Sequence, residues 1–166
     1  FPPSYRYLIL MGTLFTSQCI SQNEILKYKS LLSSLLLKQK DPIQQRQLIA
    51  ASEWLIGVRF NTNSSDSCSS TSPSSSSSSL VRMYPVLLKQ LYDEDLIDEE
   101  VLFDWFHDAL RNEFTVDSTI ISDDILEQLK DASKPFIIWL QQADEEGDDD
   151  EEEQQPAATR ADVEER

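Results

Sequence analysis

The side chains best able to do chemistry lie in two acidic segments, and each segment adjoins large aromatic residues. The first segment reads LYDEDLIDEE and is followed by Trp105. The second reads PFIIWLQQADEE and places Phe136 and Trp139 ahead of its carboxylates. Crowded carboxylates repel one another and gain energy when a positively charged partner arrives. Both patterns therefore predict a binding site for a Lys-rich polypeptide.

We call these segments box 1 and box 2. Their candidate partner-binding residues are Tyr92, Asp93, Glu94, Asp95, Asp98, Glu99 and Glu100 in box 1, and Asp144, Glu145 and Glu146 in box 2. Trp105, Phe136 and Trp139 are the structural aromatics, and we expect both tryptophans to be mainly buried because exposing large rings is costly. A simpler alternative stays open, in which box 1 satisfies a helix dipole and box 2 only improves solubility.

Other candidate sites are weak. His107 is the single histidine, and we expect it on an exposed polar helix face. Cys19 and Cys68 match no paired metal spacing, so we expect reduced thiols. Nothing in the sequence indicates the burial that would drive the pKa values of two carboxylates apart for acid–base catalysis. The sequence therefore predicts no catalytic residue, no cofactor and no metal site.

The charge is divided unevenly along the chain, whose net charge is −16. Residues 93–166 contain 26 acidic and five basic side chains, whereas residues 1–92 contain four acidic and nine basic ones. This excess of acid disfavours direct nucleic-acid binding, because phosphate contacts need Lys and Arg. The apolar stretch Tyr7–Phe15 is far shorter than the ~20 residues of a membrane span, so we expect a cytoplasmic protein without membrane contact.

The elements that position the boxes all have helical periodicity. We predict helices from about Tyr5 to Gln18, Gln22 to Gln39, Asp41 to Phe60, Tyr84 to Tyr92, Asp98 to Leu110 and from Ser122, the last one kinking or restarting at Pro135. Asp41 and Pro42 form a helix-start signal, a capping side chain before a residue that needs no amide donor. The pattern predicts an all-α stack of antiparallel helical hairpins within residues 1–143.

Two segments are predicted to be disordered. Residues 61–79 contain 12 serines and cannot bury enough apolar surface to offset chain entropy, so they are interpreted as an insertion within the helical domain. Residues 144–166 begin with nine acidic residues in ten and are interpreted as an acidic tail.

Taken together, LYDEDLIDEE with Trp105, PFIIWLQQADEE, and the earlier QRQLIAASEWLIG resemble the W2 domain family. This domain closes translation initiation factor 5 and the epsilon subunit of initiation factor 2B, and the order of motifs is most similar to initiation factor 5. The resemblance implies a HEAT-like (MIF4G/W2-type) fold whose two aromatic-acidic boxes bind Lys-rich segments of the initiation factor 2 beta subunit. It also implies contacts with initiation factor 3 and initiation factor 1.

The resemblance therefore implies a monomeric, non-catalytic adaptor of translation initiation. The GTPase-activating region of such factors contains a zinc ribbon, and no CxxC pair occurs here, so we expect that activity outside this chain. An alternative stays open, in which the chain is the catalytic C-terminal segment of the epsilon subunit of exchange factor 2B.

Overall fold

A computed structural model of the chain describes residues 5–16, 20–36, 41–59 and 77–146, with backbone alone at 35, 36, 59, 77–79 and 144–146. These ranges contain helices and turns but no strand, which confirms the all-α prediction. The α-helices are α1 (Tyr5–Leu14), α2 (Glu24–Leu36), α3 (Pro42–Trp54), α4 (Ser77–Arg82), α5 (Tyr84–Asp93), α6 (Glu99–His107) and α7 (Asp123–Glu146). A π-helical turn, Leu55–Arg59, continues α3.

The start of α3 is as the sequence predicts. The Asp41 carboxylate accepts a hydrogen bond of 3.0 Å from the Ile43 amide, and Pro42 occupies the first helical position. By contrast, α1 ends at Leu14, earlier than predicted. The backbone leaves the helix before Thr16. The Thr16 amide and hydroxyl donate to the buried Glu24 carboxylate at 2.8 and 2.9 Å. A local side-chain acceptor thus replaces the next helical turn.

The helices share one hydrophobic core. α3 contacts α1 and α6, α2 contacts α5, and α7 contacts α4, α5 and α6. Core residues with almost no exposed surface come from all along the chain, and include Met11, Ile25, Leu32, Leu48, Ile56, Tyr84, Leu88, Leu102 and Leu129. A Cβ added to Gly57, in the π turn, would lie 2.5 Å from Ile125 Cγ2 of α7. Glycine therefore lets these two elements approach closely.

The helices also differ from the sequence prediction at three later places. The sequence predicts a kink or a restart at Pro135, and α7 continues through this residue without restarting. The same helix extends to Glu146, three residues into the range assigned to the tail. α4 begins at Ser77, so the range 61–79 overlaps this helix at its end. Residues 61–76 and 147–166, with Cys19 and Cys68, lie outside the described residues.

No helix among the described residues combines the length and the apolar character that crossing a lipid bilayer requires.

Candidate binding surface

Box 1 forms a hydrogen-bonded turn between α5 and α6. Asp95 has a φ of 56°, and this left-handed residue lets the Leu96 amide donate to the Leu91 carbonyl at 3.0 Å. The Asp95 amide donates to the Tyr92 carbonyl at 2.9 Å, which completes a Schellman-type helix end. Leu96 and Ile97 are buried and anchor the turn in the core. The acidic side chains thus lie on a hydrogen-bonded turn that two buried residues anchor.

The end of this turn is tied to the N-terminal half of the chain. Gln45 of α3 donates its amide to the Asp98 carboxylate at 2.7 Å. The Asp98 backbone amide donates back to the Gln45 side-chain oxygen, also at 2.7 Å. Asp98 therefore joins box 1 to α3. It is the residue immediately before α6, and its side chain makes no capping hydrogen bond to that helix.

Two further box 1 carboxylates already bind lysines of this chain. Glu94 lies 2.9 Å from the ammonium of Lys29 on α2, and this hydrogen bond raises the pKa of Lys29. Both Asp93 carboxylate oxygens accept from the Lys89 ammonium at 2.7 Å. Box 1 therefore binds lysine side chains within the molecule itself.

The box 1 residues differ in how far they reach solvent. Asp93, Asp95 and Glu100 are exposed, whereas Tyr92 and Glu99 are partly buried. The outward-facing carboxylates are thus fewer than the sequence pattern predicts.

Trp105 is buried as predicted, with only 4% of its surface exposed. Its indole N–H donates to a Glu53 carboxylate oxygen at 2.8 Å. Tyr84 packs edge-on against the indole at 6.1 Å between ring centroids. The Lys130 ammonium lies 5.7 Å from the centroid of the Trp105 ring and donates to the Asp108 carbonyl at 2.8 Å.

Glu53 is a buried carboxylate that the sequence analysis did not single out. Burial raises its pKa to about 7, while the Trp105 hydrogen bond and the positive charges of Lys130, Arg46 and Arg111 act in the opposite direction. Burial also lowers the pKa of Lys130. One sequence signal indicated its burial: Glu53 is the single charged residue in the run Ala50–Val58.

Box 2 lies on the last turns of α7. Phe136 is buried and stacks on Trp139, with centroids 6.1 Å apart and ring planes inclined by 19°. Trp139 is 47% exposed, so the expectation that it is a core residue is wrong. The backbone of Asp144, Glu145 and Glu146 continues the helix, and their side chains lie outside the described part of the chain.

Lys89 is the contact that joins the two boxes. Its ammonium is bound by Asp93 of box 1 and lies 5.3 Å from the centroid of the Trp139 ring of box 2. Two segments about 40 residues apart in sequence therefore meet on one cation. Sequence reasoning missed Lys89, Lys29 and Gln45, because no periodic pattern indicates which basic or amide side chain faces a distant turn.

His107 and possible metal ligands are the remaining candidate groups. His107 is exposed, and its Nδ1 lies 2.9 Å from the Phe103 carbonyl oxygen. Within the described ranges, no cluster of three or more His, Cys, Asp or Glu side chains is arranged to hold a metal ion.

Comparison with known proteins decides the family. A family model described as W2, eIF4-gamma/eIF5/eIF2-epsilon, matches residues 44–150. This chain belongs to the W2 family. The match covers box 1, box 2 and most of α3, including Gln45 and Glu53.

Curated W2-family relatives include eukaryotic translation initiation factor 5 from Zea mays and from Mus musculus. The maize protein is 44% identical over 60 residues, which cover 36% of this chain and 11% of the relative. The mouse protein is 32% identical over 68 residues, which cover 41% and 14%. The chain thus matches a small part of the length of these relatives.

A solved structure, the C-terminal domain of translation initiation factor 5 at low pH, is similar with a TM-score of 0.63 and 26% sequence identity. The match covers 87% of this chain and 71% of that one. The fold is therefore the HEAT-like helical fold of this domain, as the resemblance implies.

Proposed function

We propose that this chain is a non-catalytic adaptor module of translation initiation that binds Lys-rich segments of the initiation factor 2 beta subunit. Box 1 and box 2 together form the binding surface. Contacts of its other faces with initiation factor 3 and initiation factor 1 would assemble the preinitiation complex in the cytoplasm. The GTPase-activating step belongs to a different region of such factors.

One observation carries this proposal. The Lys89 ammonium binds the Asp93 carboxylate and lies 5.3 Å from the centroid of the Trp139 ring, so the surface already accommodates a lysine side chain. A carboxylate supplies an ion pair, and an exposed indole supplies a cation–π contact. The similarity to initiation factor 5, which is itself a translation factor, supports the proposal that this lysine binding serves translation initiation.

The physical mechanism combines long-range attraction with many weak contacts. A net charge of −16 steers a cationic segment toward the chain before any contact forms. Each exposed ion pair then contributes roughly 0–1 kcal/mol, so affinity requires several pairs at once. Binding should weaken steeply with salt, because the Debye length falls from ~10 Å at 0.1 M to ~3 Å at 1 M.

The experiment is titration calorimetry of the chain with a synthetic Lys-rich peptide at low and high salt. Three charge-reversed triple variants are compared. The box 1 variant carries D93K, D95K and E100K, the box 2 variant carries D144K, E145K and E146K, and the control carries E113K, D124K and E127K. The control residues are exposed acids outside both boxes, so the change in net charge is identical.

Each box variant should weaken binding about tenfold relative to the control, because three ion pairs with the peptide at about 0.5 kcal/mol each sum to about one factor of ten. Equal affinities of the box and control variants would refute the proposal, as would affinity that is independent of salt. Accelerated GDP release from initiation factor 2 by this chain would instead establish the alternative, the exchange-factor segment.

A further inference from the structure

Lys89 occupies the place that a ligand lysine would need. It lies on α5, one helical turn before Asp93, and its side chain is 46% exposed. Both oxygens of the Asp93 carboxylate bind its ammonium, and the centroid of the Trp139 ring lies 5.3 Å from it. Two other lysines have different partners: Lys29 pairs with Glu94 of box 1, and Lys134 pairs with Asp131.

We propose that Lys89 is an internal competitor that sets the affinity of this surface for Lys-rich polypeptides. Its ammonium fills a lysine seat formed by the Asp93 carboxylate and the Trp139 indole. A ligand lysine binds that seat only when Lys89 has left it. The inference rests on the proposed function and adds to it the residue that regulates the site.

The physical basis is a population argument. An i,i+4 ion pair on a helix surface is weak, and an exposed cation–π contact is also weak, so Lys89 can be displaced. While Lys89 fills the seat, the apparent dissociation constant exceeds the intrinsic one by the reciprocal of the vacant fraction. A seat that is vacant about a tenth to a third of the time lowers affinity by about three- to tenfold.

The test measures binding of the synthetic Lys-rich peptide to Lys89→Met, to Lys89→Arg and to the control Lys134→Met. Methionine keeps an unbranched side chain that favours helix but removes the ammonium. Lys134 is exposed on α7 and pairs with Asp131, so its replacement removes one positive charge away from the seat. Arginine keeps the charge and stacks well on indoles, so it remains a competitor.

We expect Lys89→Met to bind the peptide about three- to tenfold more tightly than Lys134→Met, and Lys89→Arg to bind no more tightly than the wild-type chain. Combining Lys89→Met with Trp139→Ala should abolish the gain, because the seat is then incomplete.

Equal affinities of the two methionine variants would overturn this inference and leave the proposed function standing. Weaker binding by Lys89→Met would also overturn it, because Lys89 would then organise the surface and not block it. Failure of the wild-type chain to bind the peptide at low salt would refute the proposed function, and this inference with it.

Discussion

The pH dependence of stability should depend on Glu53. Its carboxyl is buried beside Trp105, and its pKa in the folded chain is about 7, compared with an ordinary value of 4.5. Lys130, Arg46 and Arg111 supply the nearby positive charge, but burial is the larger influence. The protonated form is therefore the one that the fold stabilises.

The sign follows from proton binding. Between pH 4.5 and 7 the folded state binds more protons at Glu53 than the unfolded state does, so stability falls as pH rises. The contribution of protonated Glu53 to the free energy of unfolding is complete below about pH 4.5 and is lost by about pH 7. A difference of 2.5 between the two pKa values corresponds to about 3 kcal/mol.

The perturbation is Glu53→Gln, which keeps an oxygen acceptor for the Trp105 indole and cannot ionise. Between pH 5 and pH 8 the wild-type chain should lose about 2–3 kcal/mol of unfolding free energy that the variant retains. Urea unfolding followed by circular dichroism at both pH values measures this difference. Glu127→Gln, at an exposed site on α7, is the control and should follow the wild-type chain.

Parallel pH profiles for the wild-type chain and Glu53→Gln would refute the reasoning. They would mean that Glu53 remains ionised in the folded chain at pH 5, held by Lys130 and Arg46 more strongly than burial disfavours it.

Two further substitutions test the fold and the turn. Gly57→Ala should destabilise the chain by about 1–3 kcal/mol in urea unfolding, because the new methyl group would overlap Ile125 Cγ2. Alanine in place of glycine usually stabilises a helix, so a gain in stability would contradict the close approach of the two elements. Asp95→Gly should raise unfolding free energy by about 0.5–1 kcal/mol relative to Asp95→Ala, because both remove the charge but only glycine adopts the φ of 56° without strain. Equal stability of these two variants would show that the turn relaxes.

Local signals in the sequence predicted the elements well where neighbouring residues decide the outcome. The cap and the first position of α3 were correct because Asp41 and Pro42 act within one turn. At Pro135 the sequence predicts a kink or a restart, and α7 does not restart there, although a proline inside a helix costs about 3 kcal/mol. Burial of Ser133, Phe136 and Ile137 on either side holds the helix together against that cost.

The helical spacing in the sequence already indicated that Trp139 is exposed, but the large size of its ring led to the prediction of burial. The spacing that buries Leu126 and Leu129 continues through Phe136, Ile137 and Leu140, and this helical face leaves Trp139 at its edge. By contrast, the Glu53 contact with Trp105 joins residues 52 positions apart, and the chemistry of such a pair has no local signature.

The reciprocal bonds between Gln45 and Asp98 mean that the acidic turn cannot be transplanted as a linear motif. A short peptide copied from box 1 would keep every carboxylate yet lose the α3 amide that orients Asp98. Screens that display such fragments in isolation would therefore underestimate how selectively the intact domain discriminates among cationic sequences.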